Sequence, residues 1–209
     1  MANVAAAYGF REFRRLDGSP PTGGMETLTI AASDPGPVFT GDPVVTGATG
    51  PYVTQCSSVG SAQTRGIFKG CEYYSPTVAR KVWSPYYPGS IGTTVTTGDV
   101  QAWVITDPDM LFTVQGGIGG NNTTINASNV GLNYGWSSGI SSQGNTTTGI
   151  SILTLLSTSV ATTNTLPFRL FDLLSNWAPP GQNGLDNTTA GNFVIVAPNN
   201  WDRKQLTAV

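Results

Sequence analysis

From Glu26 onward the chain is cut into short runs of β-branched and aromatic residues, each bounded by Gly, Pro, Asp or Ser clusters. The first seven runs are Glu26–Ala32, Val38–Val45, Tyr52–Cys56, Arg65–Tyr74, Val78–Trp83, Asp99–Asp107 and Leu111–Gln115. Such side chains suit a pleated, half-buried surface, and the spacing of the breakers is that of a sandwich or barrel. The pattern predicts a mainly β fold, a single compact barrel or sandwich. Strand signals resume at Ile150–Leu156 and Leu166–Leu174, and a strong final strand covers Gly191–Val196. Leu166–Trp177 also fits a short helix. A length of 209 residues is enough for one good core, and no repeat or linker divides 25–209.

Two segments depart from this rhythm. Residues 1–24 carry clustered arginines and end in Ser19-Pro20-Pro21-Thr22-Gly23-Gly24, which blocks both helix and central strand. They read as an extended N-terminal arm, mobile alone and ordered on a partner, with Tyr8, Phe10 and Phe13 as apolar anchors and Arg11, Arg14 and Arg15 as cations. Residues 116–149 are rich in Gly, Thr and Asn, and form either an exposed excursion or a segment packed through its backbone. Between these segments, Val100, Ala102 and Val104 alternate with Trp103 and Ile105. Neither face is wholly polar, so a neighbouring segment or subunit is expected to cover the outer one. Asp107-Pro108-Asp109 supplies a turn and Leu111–Gln115 the returning strand of a hairpin.

The chemistry that the chain can offer is narrow. It has no histidine, and charged residues make up 11% of it. Imidazole is the usual base near neutral pH and the commonest metal ligand, so triad hydrolysis and most zinc sites drop out. No catalytic, cofactor-binding or metal-ligating set is expected. Carboxylate-only hydrolysis survives that argument, with Asp107 and Asp109 as its candidates, although an Asx turn explains both. Gly116–Gly120 lacks the Lys-Ser/Thr of a phosphate loop. A net charge of −2 gives no general attraction to nucleic acid or to an anionic membrane, and no stretch approaches the length of a membrane helix. Arg11, Arg14 and Arg15 fall where a signal peptide places its apolar core. Cys56 and Cys71 are either paired across strands or free and packed. The cluster Tyr73, Tyr74, Trp83, Tyr86 and Tyr87 suits a core and subunit contact, or a sugar-binding platform.

Four ordered segments carry a resemblance. These are Ala6-Ala7-Tyr8-Gly9-Phe10-Arg11, Phe39-Thr40-Gly41-Asp42-Pro43-Val44, Gly66–Tyr73 and Trp83-Ser84-Pro85-Tyr86-Tyr87-Pro88-Gly89. Their order and spacing over roughly residues 1–115 resemble the capsid decoration (cement) proteins of tailed bacteriophages, of a cyanophage-like kind. The resemblance implies a β-tulip-like domain, the major capsid protein as partner, self-association as a homotrimer, and a place on the outer surface of the virion. Contact with the capsid or an adjacent subunit would then fall to Tyr8, Phe10, Arg11, Phe13, Arg14, Arg15, Trp83, Tyr86 and Tyr87. The rival reading is a virion-displayed carbohydrate-binding module built on Trp83, Tyr86 and Tyr87, or another head or tail structural protein.

Overall fold

The structure is a computed structural model, and it describes residues 2–21, 24–47, 51–56, 63–91, 98–118, 123–137 and 144–204. The fold is mainly β. Its first half supplies β1 (Arg11–Arg15), β2 (Met25–Ile30), β3 (Val38–Phe39), β4 (Pro43–Thr46), β5 (Val53–Gln55), β6 (Gly66–Ser75), β7 (Arg80–Ser84) and β8 (Tyr86–Tyr87). There follow β9 (Val100–Ile105), β10 (Met110–Gln115), β11 (Asn133–Tyr134), β12 (Gly144–Asn145), β13 (Ile150–Ser151), β14 (Phe168–Leu173) and β15 (Phe193–Pro198). Leu166–Trp177 is thus strand β14 followed by a short 3-10 turn at Leu174–Asn176.

Two antiparallel sheets dominate. One runs β1-β10-β15-β14-β11, and the other β2-β9-β6-β4-β5 with β7 also on β6. Among the described strands no sheet closes on itself. The long β6 pairs with β9 along one edge and with β4 and then β7 along the other. The main hydrophobic cluster joins Phe112, Val114, Phe168, Val194 and Val196 of the first sheet to Ile67 and Ile105 of the second. The two sheets therefore share a core. An aromatic hub sits inside it: the Phe168 ring stacks on Phe10 at 4.2 Å and meets Trp136 and Trp201 edge-on, each at 6.2 Å.

The expected hairpin of Val100–Ile105 and Leu111–Gln115 does not form. Strand β9 pairs with β2 and β6, whereas β10 lies between β1 and β15 in the other sheet. The partners of β10 lie far along the chain on either side, and at the connection Asp109 N donates to Asp107 Oδ1 at 2.9 Å while Arg15 Nε lies 3.0 Å from Asp107 Oδ2, holding the turn beside β1. Both faces of β10 are apolar because both are covered within the chain: Met110, Phe112 and Val114 enter the shared core, and Leu111 enters a smaller outer cluster. No second subunit is needed for that cover.

The N-terminal arm is also revised. Residues 11–15 are the edge strand β1 of the five-stranded sheet, in register with Met110–Thr113. The buried Gln115 stitches the preceding residues down, accepting from Ala6 N at 2.8 Å and donating to Val4 O at 2.9 Å. Phe10 is 1% exposed. An apolar anchor of that size finds its pocket in its own chain, so the residues around it pack onto the body of the fold. The proline pair comes after β1 has ended, and an edge position needs only one hydrogen-bonded side. From the Gly/Thr/Asn-rich segment, where an excursion was one expectation, Ile125, Tyr134 and Trp136 are core residues. Residues 119–122 and 138–143 of that segment lie outside the described residues. Cys56 and Cys71 sit in different hydrophobic clusters and form no disulfide, and burial pushes the Cys71 thiol up to about 12.

Candidate functional site

The four segments that carried the resemblance meet at one point in space. Phe10 N donates to Gly41 O at 2.9 Å, Gly41 N to Phe68 O at 2.8 Å, and Thr40 Oγ1 to Pro85 O at 2.6 Å. Gly9 and Gly41 both have positive φ, +70° and +97°, and their backbones nearly touch. A Cβ on Gly9 would fall 2.7 Å from Gly41 O and 2.6 Å from Ser151 Cβ. Beneath this node lies Asp42, with no exposed surface. Its Oδ2 accepts from Phe39 N at 2.8 Å, closing the tight turn 39–42. Burial raises its pKa to about 7, an effect that the Ser151 hydroxyl and the Phe39 amide offset only in part.

Above the node opens a cleft of about 400 Å³. Phe10, Arg11, Thr40, Lys69, Trp83 and Pro85 line it, together with Glu12 and Ile150. Trp83 is 63% exposed. Its indole lies across strand β6 at Gly70, where a Cβ would come within 3.1 Å of the ring. The missing side chain gives the ring a flat seat. Lys69 Nζ holds Glu12 Oε2 at 3.0 Å across the cleft, and the Arg11 guanidinium rests 4.6 Å above the Tyr8 ring. Two cations thus face one carboxylate, and the carboxylate already has its partner.

A second surface lies on the outer face of the five-stranded sheet. Trp177 Nε1 donates to Asp172 Oδ2 at 2.7 Å, Phe13 meets the Trp177 ring edge-on at 6.1 Å, and the Arg14 guanidinium lies 4.1 Å over it. Next to this face an apolar groove of about 460 Å³ is lined by Leu16, Val130, Phe171 and Pro198, and among the described residues Arg169 and Lys204 are its charged lining. Leu16, Val130 and Trp177 are each exposed by more than a third.

The residues expected at a contact surface are therefore split. Arg11 and Trp83 share the cleft with the edge of Phe10; Phe13 and Arg14 belong to the Trp177 face; Arg15 is tied to Asp107. Phe10 and Tyr87, at 1% and 0% exposure, have almost no surface to offer a partner. Tyr87 is a core residue whose hydroxyl donates to Asp34 O at 2.9 Å, and burial pushes it up to about 12. Tyr86 is half-buried and stacked on Phe39 at 5.3 Å, and Tyr8 is stacked on Phe193 at 5.2 Å. The three-residue sugar platform thus reduces to Trp83. Sequence reasoning missed Glu12, Lys69, Thr40 and Ile150, which become neighbours only through pairing distant in sequence. It also missed Trp177, Arg169 and Lys204, for which a lone Trp before Pro179-Pro180 was the one available signal.

Asp107 and Asp109 are turn residues, Asp109 N donating to Asp107 Oδ1, and among the described residues the cleft lining carries one carboxylate, Glu12. Among the described residues no group of three or more His, Cys, Asp or Glu is placed to hold a metal, and no helix is long and apolar enough to cross a membrane. Comparison with protein-family models, with curated proteins and with solved structures returns no match.

Proposed function

We propose that this chain is a non-enzymatic structural protein of a tailed-bacteriophage virion, a capsid decoration or cement protein on the outer surface of the mature head. The observation that carries the reading is the Trp177 face. A fixed indole, flanked by Phe13 and clamped under Arg14, has the composition of an interface hot spot, and the neighbouring groove adds apolar surface with cations and no acid. Its complement is an apolar surface rimmed with carboxylates, which this reading assigns to the major capsid protein. The order of the four segments supports the same family. In this reading the two sheets around their shared core are a β-tulip-like domain, and copies of the chain associate as a homotrimer on the lattice.

The mechanism is mass action. A protein that binds only the mature lattice stabilises it by its binding free energy, and many copies multiply a small gain per site against internal DNA pressure.

Purified chain mixed with undecorated, expanded heads of the phage that encodes it should bind saturably, and the decorated heads should survive heating that bursts bare ones. Trp177→Ala and Arg169→Glu should each weaken binding about tenfold or more, in line with the loss of a hot-spot anchor. Heads that take up none of the protein would refute the proposal, as would particles that lack it when purified from infected cells.

A further inference from the structure

The Trp83 cleft is separate from the Trp177 face, and its lining shares no residue with the groove there. Its chemistry is different as well. The groove is apolar with cations at the rim, whereas the cleft combines one open aromatic wall with hydrogen-bonding groups of both signs. We infer that it is a binding site for an anionic saccharide, a pyranose chain carrying a carboxylate.

Each part of such a ligand has a counterpart. The apolar C–H face of a pyranose stacks on an indole that is exposed on one side and supported on the other, and Trp83 is held in that way by Gly70. Ring hydroxyls both donate and accept, so they match a paired ammonium and carboxylate, here Lys69 and Glu12 at 3.0 Å. That pair stays neutral as a unit. Glu72, directly across from Trp83 in the sheet, is likewise matched by Lys81 at 3.5 Å. The remaining charge is Arg11, which makes no ion pair among the described residues and presents its fork from the exposed end of β1. A guanidinium in that state takes a carboxylate with two parallel hydrogen bonds. The volume of about 400 Å³ lies in the range of roughly 300–1,000 Å³ usual for small-ligand sites.

Two features separate this from a site for a neutral sugar or for protein. A neutral sugar leaves Arg11 without a use, and a protein anchor would seek a deep apolar pocket rather than a matched ion pair across the floor. The inference does not depend on the capsid reading, because the two surfaces are tested by different variants.

A glycan array should be probed with the full chain and with Trp83→Ala, Arg11→Gln and Trp177→Ala. It should display galacturonic, glucuronic and sialic acid oligosaccharides beside neutral galactose and glucose oligomers. The unsubstituted chain and Trp177→Ala should bind acidic glycans in preference to neutral ones. Trp83→Ala should weaken binding about tenfold or more, because its stacking surface is gone. Arg11→Gln should abolish the preference for acidic glycans while leaving residual binding to neutral ones. Absence of binding to any glycan would overturn the inference, and so would a preference for neutral glycans or binding unaffected by Trp83→Ala. A Trp83→Ala chain that also fails to attach to heads would make Trp83 a protein contact and overturn it equally.

Discussion

At the scale of single residues, the node of Gly9, Gly41 and Asp42 decides how the N-terminal segment meets the turn 39–42. Asp42 carries a consequence for pH. Its folded pKa, near 7, lies above the ordinary 3.8, so between those values the folded chain keeps a proton that the unfolded chain has released. Stability therefore falls as pH rises from about 4 to about 7, by at most about 1.4 kcal/mol per pH unit, and levels off above. Asp42→Asn retains the acceptor for Phe39 N and removes the ionisation. Urea unfolding across this range should show the slope in the parent and its absence in the variant. The glycines make a steric prediction. Gly9→Ala puts a Cβ within 2.6 Å of Ser151 Cβ at a φ of +70°, which should cost about 2 kcal/mol or more in the same assay. Gly18 has a similar φ with nothing near it, so Gly18→Ala should suffer only the backbone strain, about 1 kcal/mol.

At the scale of elements, β1 behaves as part of the body. Phe10→Ala removes one ring of the Phe10–Phe168 stack from the centre of the shared core and should destabilise the chain by about 3–5 kcal/mol. Deleting residues 1–15 also uncovers the edge of β10 and leaves the buried Gln115 carbonyl without its Ala6 N donor, and should yield an unfolded or aggregating product by circular dichroism and light scattering. This is also where reading from the sequence succeeded and failed. Runs such as Arg65–Tyr74 and Gly191–Val196 were legible because β-branched and aromatic residues between breakers announce a strand wherever its partners lie. Partnership was not legible. The alternation in Val100–Ile105 and the turn at Asp107 suited a hairpin, and only pairing with β1 and β15, strands distant in sequence, places β10 in the other sheet. The cleft was hidden for the same reason: its residues come from β1, β6, β7, β13 and the connections beside them, and only Arg11, Phe10 and Trp83 stood out by type.

At the scale of the whole molecule, both faces of β10 are covered by the chain itself, whereas on the outer face of β9 Gln101 is exposed and Trp103 is half-buried. Of the large apolar side chains left exposed among the described residues, Leu16, Val130 and Trp177 gather around one small groove, and Val4, Met25, Val78, Trp83 and Val160 lie elsewhere along the chain. That arrangement does not supply the broad apolar interface of an obligate oligomer. Sedimentation velocity should therefore find a monomer at micromolar concentration; a concentration-independent trimer in solution would overturn this expectation. The order β1-β10-β15-β14-β11 has a further consequence, for synthesis. Strand β15 stands in the middle of the sheet, yet it is the last strand of the described chain to be made, and β1, the first, has no partner until β10 exists. Until residues 193–198 leave the ribosome, β10 and β14 each hold an open edge, so the nascent chain must stay soluble with half its core exposed. Pairing over such separations makes folding slow as well. The low-charge sequence is thus a burden during its own production, and expression yield should respond to temperature and chaperone supply more sharply than the stability of the finished fold would suggest.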